Sequence, residues 1–401
     1  MVDERTAPPQ PRMFGPAFLK VVLAQMSFNY GFSTYLLLPK FLSTELAAAP
    51  SDIGLIGAIQ GVVAVLAVPF VGGFVDRVGR RPLMAAGASL LLAYSLAWLV
   101  VDRVGPLAFS LQVLSGLAFM FCFSGASTLS TDLAPPERLS QAIGIFGAAN
   151  ITMNAVAPAI AEPLAQHYGW RLAFALAAAS SVLSLLLIRW ISEPAREHER
   201  DRTSAASDLG ATLDVLRRLF PYIAAMASCG ATFGAVFTFY QPWVLAQGAK
   251  NVSLFFVGFT LAAVSTRVGL GSIADRYGRR RVALRAFTLY ALVVLAMTLL
   301  TPGRLLGFGL AFGFAHGFFY PALNGLALER TAAAERGRAM TLIHGSFHLG
   351  TTVSALGLGW VAHRFGYMPV FALAALIALA GLAVLYTATQ GSAVVQPAPA
   401  E

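Results

Sequence analysis

The sequence predicts an all-α membrane protein with twelve transmembrane helices in two repeated halves. Three observations support this fold class. The 401-residue chain is 57% hydrophobic and 12% charged, whereas soluble domains carry about 25% charged residues. Apolar runs of the length that crosses a bilayer, roughly 20 residues, recur along the chain. A charged ten-residue stretch between two such runs occurs twice, once in each half.

The apolar runs give the predicted spans and, between them, the domain boundaries. The spans are residues 16–42, 51–74, 82–101, 106–131, 138–165, 170–192, 217–246, 251–274, 282–301, 303–328, 336–362 and 367–389. We expect the first run to stay as a helix, because the polar, Pro-rich residues before it do not resemble a signal peptide. The predicted domains are an N-terminal arm (1–15), a first six-helix bundle (16–192), a polar linker (193–216), a second six-helix bundle (217–389) and a tail (390–401).

The positions of the basic residues predict the orientation. If the N-terminus is inside, each of the six outer segments carries a single basic residue, and Arg267 lies within a span. All other lysines and arginines lie on inner segments, so the positive-inside rule places both termini in the cytoplasm of a multi-pass inner-membrane protein. The net charge of +9 has the same explanation and does not indicate a nucleic-acid partner. The outer basic residues are Lys40, Arg103, Arg171, Lys250, Arg304 and Arg364.

The duplicated stretch predicts a tight, charged hairpin between two spans. Its glycines permit close backbone approach, its aspartate can accept hydrogen bonds, and its arginines suit an anionic headgroup region. The copies are Gly72-Gly73-Phe74-Val75-Asp76-Arg77-Val78-Gly79-Arg80-Arg81 and Gly271-Ser272-Ile273-Ala274-Asp275-Arg276-Tyr277-Gly278-Arg279-Arg280. Two further landmarks recur at nearly the same offset: Glu137-Arg138 with Glu335-Arg336, and Tyr168-Gly169-Trp170 with Phe365-Gly366-Tyr367. This spacing indicates that a six-helix unit was duplicated.

The repeated stretch resembles the loop 2–3 motif G-x-x-x-D-R-x-G-R-R of the major facilitator superfamily. The resemblance implies two pseudo-symmetric six-helix bundles around a central cavity lined by the first, second, fourth and fifth helices of each half. It also implies that the hairpins latch the halves together on the cytoplasmic side when the outside is open. The latch residues so implied are Gly72, Asp76, Arg77, Gly79, Arg80, Gly271, Asp275, Arg276, Gly278 and Arg279, with Glu137, Arg138, Glu335 and Arg336 as exchange partners.

Polar residues in the cavity-lining spans are the candidate substrate contacts, because polar groups at lipid depth are costly and usually face an interior. For each of them, the alternative interpretation is a hydrogen bond between helices. Arg267, the one charge within a span, is a candidate countercharge for an anionic or zwitterionic solute. It could equally be a side chain that reaches to the cytoplasmic surface, or one that pairs with a helix C-terminus. The set is Gln25, Asn29, Tyr30, Gln60, Asn150, Asn154, Tyr240, Gln241, Arg267, His316, Tyr320 and Asn324.

Three histidines in these spans, His316, His344 and His348, are candidates for proton coupling, because imidazole exchanges a proton near neutral pH. They could equally be hydrogen-bonded structural residues. The i, i+4 pair could also bind a transition metal, but no other ligand pattern supports this, and we predict no metal site. The aspartates and glutamates lie in loops, termini or the ends of spans, which argues against a cationic substrate. Cys122 and Cys229 lie in apolar runs and are predicted to be free, buried thiols.

These features predict a secondary active transporter of a small organic solute, resembling the twelve-helix drug and sugar efflux group and coupled to protons. The alternative is an importer or exchanger of an organic anion or of a metal–chelator complex. The fifth span, from Asn154 to Pro163, has the prolines but few of the glycines of the antiporter motif, so direction stays open. No catalytic motif predicts an enzyme. We expect no cofactor, a monomer, and the solute, protons and lipid bilayer as partners.

Overall fold

A computed structural model describes residues 15–135, 138–192, 209–269, 277–332 and 335–390. For residues 67–77, 139–140, 209 and 268–269 it describes the backbone alone. Every regular element in these ranges is a helix.

Thirteen α-helices run through the described ranges. Seven of them, α5, α6, α7, α8, α10, α11 and α13, are long and apolar enough on their own to cross a membrane. The helices are α1 (Pro16–Thr34), α2 (Leu38–Thr44), α3 (Pro50–Val78), α4 (Arg80–Trp98), α5 (Pro106–Asp132), α6 (Leu139–Tyr168), α7 (Trp170–Arg189), α8 (Leu209–Ala246), α9 (Ser253–Gly269), α10 (Arg279–Ala296), α11 (Leu305–Glu329), α12 (Arg336–Phe365) and α13 (Tyr367–Gln390).

Each predicted span coincides with one helix, except that the first span is broken. A 3-10 turn over Tyr35–Leu37 separates α1 from α2. Pro39 explains the break, because its ring has no N–H to donate and would clash with the carbonyl four residues earlier in a regular α-helix. The other difference is at α8, which begins at Leu209, so residues 209–216 of the predicted linker are helical. Residues 193–208 of the linker, the arm before Gly15 and the tail after Gln390 lie outside the described residues.

Four glycines with positive φ angles stand directly before a helix, at repeated positions in the two halves. Gly79 and Gly278 in the duplicated motif have φ angles of 101° and 87°, and Gly169 and Gly366 in the third landmark have 88° and 83°. Side chains with a Cβ rarely adopt these angles. The sequence predicted that the motif glycines serve close approach between helices. The positive φ angles show that Gly79 and Gly278 are needed for the backbone conformation itself.

The same helix pairs pack in both halves of the chain. In the first half α3 packs on α5, α4 on α5 and α7, and α1 on α6 and α7. In the second half α9 packs on α11, α10 on α11 and α13, and α8 on α12 and α13. Across the halves, α3 contacts α12 and α6 contacts α9. The packing therefore follows the repeat found in the sequence.

Candidate functional site

The two halves meet most closely where α3 crosses α12. A Cβ at Gly54 would clash with the carbonyl oxygen of Ala355 and lie 3.0 Å from the Cα of Gly359. Two turns further along α3, a Cβ at Gly61 would clash with the Thr352 hydroxyl. Small residues let helices approach this closely in a membrane, where packing replaces the hydrophobic effect as the driving force.

A buried ion pair joins the halves at the same end of the molecule. Lys40 Nζ lies 2.6 Å from Glu162 Oε1 and also donates a hydrogen bond to the carbonyl of Lys250 (2.5 Å). The Glu162 carboxylate accepts hydrogen bonds from the backbone N–H groups of Val252 (2.7 Å) and Ser253 (2.8 Å). Lys40 and Glu162 belong to the first half, and residues 250–253 belong to the second. We call this end of the molecule the closed end, and the opposite end the open end.

The Lys40–Glu162 pair is removed from water, with side chains 7% and 1% exposed. A buried ion pair is stable when its remaining donors and acceptors are satisfied, and breaking it leaves an uncompensated charge. Here the carboxylate also lies at the N-terminus of α9, where backbone N–H groups and the helix dipole favour an anion. The pair therefore holds residues 250–253 of the second half against the first half.

Three glutamine contacts add to the closed end. Gln241 Nε2 donates to the carbonyl of Leu36 (2.7 Å), and Gln166 Nε2 donates to the carbonyl of Lys250 (2.7 Å) and the side chain of Asn251 (2.8 Å). Tyr240, the neighbour of Gln241, is fully buried and donates to the carbonyl of Val252. The structure thus places two predicted substrate contacts, Tyr240 and Gln241, in the closed end, away from the open side.

Toward the open end the helices separate. On α6, the carbonyl of Ile151 accepts a hydrogen bond from Thr260 of α9 (3.4 Å). Gly147 and Gly144 lie on the same face of α6 as Ile151, one and two turns away from it, yet a Cβ at either position would meet nothing within 4 Å. Gly345 lies two turns before the α12 residues that contact α3, and it also faces open space. The gap between the halves therefore widens from the closed end to the open end.

In the first half, three predicted contact residues hydrogen-bond one another. Gln25 Nε2 donates to Asn29 Oδ1 (3.2 Å) and Asn150 Oδ1 (3.1 Å), and Asn29 Nδ2 donates to the same Asn150 oxygen. Asn150 Nδ2 donates to the carbonyl of Phe146 (2.7 Å). All three amides are buried, and their network ties α1 to α6. A direct contact of these amides with a solute stays a prediction.

The other first-half candidates lie around this network. Asn154 accepts a hydrogen bond from Ser33 (2.9 Å). The Tyr30 hydroxyl is buried and has no hydrogen-bond partner among the described residues. Gln60 lines a cavity of about 150 Å³ near the closed end, together with Gln112 and residues of α1 to α5 and α8. Sites for drug-sized molecules usually measure about 300 to 1,000 Å³, so this cavity is too small for such a solute in this conformation.

In the second half, the candidates from α9, α11 and α12 form one group around Tyr320, which we call the Arg267 cluster: Arg267, His316, Tyr320, Asn324, His344 and His348. The Arg267 guanidinium carbon lies 6.0 Å from the centre of the Tyr320 ring. The His344 ring stacks on that ring at 6.0 Å and 23°, and the His316 ring lies 5.5 Å from it. Asn324 Nδ2 donates to the Tyr320 carbonyl (2.9 Å), and its Oδ1 has no partner among the described residues.

The three histidines differ in their surroundings. His316 is buried among aromatic rings, with Nδ1 3.9 Å from the Cys229 thiol. His348 is half-buried, whereas His344 is exposed. In the described part of the chain, no group of three or more histidine, cysteine, aspartate or glutamate side chains could hold a metal ion. His344 is therefore the histidine most open to exchange with the gap.

The described latch residues form ion pairs within their own halves. Arg80 Nε lies 3.0 Å from Asp132, and Arg279 pairs with Glu329 at 3.1 Å, at nearly the offset of the sequence repeat. Glu335 pairs with Arg218 of α8 at 2.6 Å, and Arg138 and Arg336 are exposed. Asp275, Arg276, Gly271 and Glu137 lie outside the described residues, as do the side chains at positions 72, 76 and 77. A latch across the halves stays a prediction for the conformation that is open at the other end.

Sequence reasoning missed Lys40, Glu162 and residues 250–253. Glu162 lies near the end of a span, where a carboxylate is normally hydrated, and Lys40 was counted as an outer-loop charge. One signal was available: Lys40, Glu162 and Lys250 all fall at span ends on the side predicted to be outside.

Comparison with known proteins places this geometry in a family. A sequence model of the Major Facilitator Superfamily matches residues 21–270 and 247–401. An uncharacterized MFS-type transporter of Burkholderia mallei (strain SAVP1) is 28% identical over 95% of both chains. Multidrug resistance protein MdtG of Enterobacter lignolyticus (strain SCF1) is 23% identical, over 81% of this chain and 79% of that one. A crystal structure of a mutant of the nucleoside transporter NupG superimposes with a TM-score of 0.79 and 15% identity, over 93% of this chain and all of that one.

Proposed function

The chain belongs to the Major Facilitator Superfamily, and from that premise we propose that it is a secondary active transporter that moves a small organic solute across the cytoplasmic membrane by alternating access. The observation that carries the proposal is the asymmetry between the two ends. The halves are joined through Lys40, Glu162 and residues 250–253 at one end and separate at the other. A transporter that alternates needs such a contact, made in one conformation and broken in the next.

The proposed architecture is two bundles of six spans, residues 16–192 and 217–389, with the linker 193–216, the arm 1–15 and the tail 390–401 in the cytoplasm. Three observations support it: the repeated motifs, the repeated helix pairs and the repeated pairs Arg80–Asp132 and Arg279–Glu329. The positive-inside rule makes the closed end the outer face. The structure is then the inward-open conformation of a monomeric inner-membrane transporter.

Cysteine labelling tests alternating access. Cys122 and Cys229 are the two cysteines of the chain, and replacing both by alanine gives a cysteine-free parent. We expect a thiol reagent supplied from the cytoplasm to modify Gly147→Cys at the open end, and one supplied from outside to modify the buried closed-end variant Leu42→Cys only slowly. A transported solute should change the two rates in opposite directions. Rates that do not respond, or two sites labelled from the same side, would contradict the proposal.

For direction, we propose efflux driven by inward proton movement. The similarity to a protein named for multidrug resistance supports efflux, and His316, His344 and His348 are the proton-coupling candidates. His344 is the leading one, because it is exposed on the side of the gap and stacks on Tyr320 of the Arg267 cluster. Its charge state would therefore act directly on a solute bound there.

Proteoliposomes with an imposed pH gradient test direction and coupling. We expect protons moving into the compartment that represents the cytoplasm to drive solute out of it against its own gradient. His344→Gln should lower this uphill flux to the rate without a pH gradient, because glutamine keeps hydrogen bonds but carries no proton. Solute exchange between the two sides should fall less than the uphill flux, through the lost contact of the imidazole ring with the solute.

His363→Gln, on the exposed far end of the same helix, is the matched control and should behave like the parent. Proton-driven flux that survives replacement of each of the three membrane histidines would exclude them as couplers. Uptake or exchange without net efflux would favour the importer or exchanger.

A further inference from the structure

The Arg267 cluster carries an inference about the class of solute. Within the described residues, Arg267 makes no hydrogen bond and no ion pair, and its guanidinium lies over the Tyr320 ring. A cation at membrane depth is costly unless it is paired. A tyrosine face compensates for this cost in part, and it leaves the in-plane N–H donors of the guanidinium free.

No carboxylate of the described chain is placed to take those donors. Of the three helices that build the cluster, α9 and α12 contain no aspartate or glutamate in their described residues, and α11 contains Glu329 alone. Glu329 pairs with Arg279 at the end of its helix. The cluster therefore carries net positive charge toward the gap, and it lacks the carboxylate that would attract a cationic solute.

The walls beside Arg267 are aromatic. The His344 ring stacks on Tyr320 at 6.0 Å, and the Phe347 ring meets Tyr320 edge-on at 5.7 Å. One turn along α11, the Oδ1 of Asn324 has no partner in the described part of the chain and offers a hydrogen-bond acceptor. The cluster thus combines a fork of donors that matches a carboxylate, flat rings that suit a planar body and one acceptor for a polar substituent.

We propose that the solute is an organic anion, an aromatic carboxylate whose carboxylate binds Arg267 and whose ring packs against Tyr320 and His344. This inference rests on the proposed transport function but concerns binding. If Arg267 serves to recognise the solute, its removal should not lower the stability of the protein without solute.

Ligand binding to the purified full-length protein tests the inference without requiring transport. The panel consists of matched triplets on benzene, naphthalene and indole rings, each as the carboxylate, the primary amide and the primary amine. We expect the carboxylates to bind and to raise the melting temperature, and the matched amides to bind about 10- to 100-fold more weakly, as expected for loss of a charge-assisted hydrogen bond. The amines should not bind at this site.

Two arginine variants separate recognition from structure. Arg267→Gln should lose the preference for carboxylates by about the same factor, and the empty variant should melt at the same temperature as the parent or higher, because a desolvated charge has been removed. Arg364→Gln, at the exposed end of α12, removes the same charge elsewhere and should bind like the parent.

Binding of amides or amines in preference to carboxylates would overturn the inference, as would carboxylate binding that Arg267→Gln leaves unchanged, or the absence of carboxylate binding across all three rings. Carboxylate binding that depends on Arg267, in a protein that moves no solute in proteoliposomes, would support the inference and contradict the proposed function.

Discussion

Gly54→Ala is expected to abolish transport, because a single added methyl group prevents α3 and α12 from closing on each other at the closed end. The new Cβ would meet the Ala355 carbonyl and lie 3.0 Å from the Cα of Gly359. Both neighbours are backbone atoms of α12, so no side chain can rotate out of the way. Overpacking of this kind costs about 1 to 3 kcal/mol, which shifts a two-state equilibrium by about 5- to 150-fold. The population of the conformation described here, with its closed end shut, should fall by that factor.

The matched control is Gly57→Ala, three residues along the same helix. A Cβ there would lie 3.6 Å from the Thr238 hydroxyl, which is ordinary contact distance. Both variants gain the same helix propensity, about 1 kcal/mol, so any difference between them reports the contact with α12. Solute flux in proteoliposomes and labelling of Leu42→Cys from outside are the measurements.

We expect loss of flux and fast outside labelling with Gly54→Ala, and parental behaviour with Gly57→Ala. Equal flux and equal labelling in the two variants would mean that α3 and α12 do not close on each other during transport.

The helices were predictable from the sequence because the property that defines them is local. A run of apolar residues of sufficient length specifies a span wherever it occurs, and a glycine at a helix junction is visible in the repeat. The break after α1 was missed, although its cause is also local, because Pro39 falls near the end of an apolar run, where a proline was compatible with a straight helix ending soon after.

The candidate site was predictable in part, because polarity in a span is visible but its partner is not. Gln25, Asn29 and Asn150 were identified because polar side chains within a membrane span are energetically costly. The structure shows that their amides form hydrogen bonds with one another. Arg267 was found in the same way, yet it has no such partner in the described chain. The difference depends on which residues face each other across helices more than a hundred positions apart, and no local pattern encodes it.

Glu162 shows the same limit most clearly. Its carboxylate is buried because residues 250–253, about 90 positions away, donate two N–H groups to it and accept one hydrogen bond from its partner Lys40. The sequence alone predicted a hydrated carboxylate near the end of a helix. Only the meeting of the two halves makes it a buried ion, which is why its loss should affect one conformation of the transporter and not the fold of either half.

Glu162→Ala should therefore remove solute flux almost completely while the protein still folds. Without the carboxylate, the Lys40 ammonium and the N–H groups of Val252 and Ser253 are buried without an acceptor whenever the outer face closes. Breaking a buried pair in this way costs about 3 to 5 kcal/mol, and the opened conformation avoids the cost because water reaches all three groups. The equilibrium should shift away from the conformation with a shut closed end by about 160- to 5,000-fold, and Leu42→Cys should label rapidly from outside.

A double-mutant cycle separates the ion pair from the amide contacts. Glu162→Gln keeps one oxygen for the backbone N–H groups but leaves Lys40 unpaired, so its flux should also fall steeply. Lys40→Met combined with Glu162→Gln removes both charges and keeps that oxygen, and replacing a buried pair by neutral groups is often close to neutral in stability. The double variant should therefore transport better than Glu162→Gln alone.

Glu45→Gln serves as the control, because it removes an exposed acid at the same end of the molecule and should transport like the parent. If Glu162→Gln also transports like the parent, with Leu42→Cys still protected from outside, then the closed end is held shut without this ion pair. The contact between α3 and α12 and the hydrogen bonds of Gln166 and Gln241 would then be what closes it.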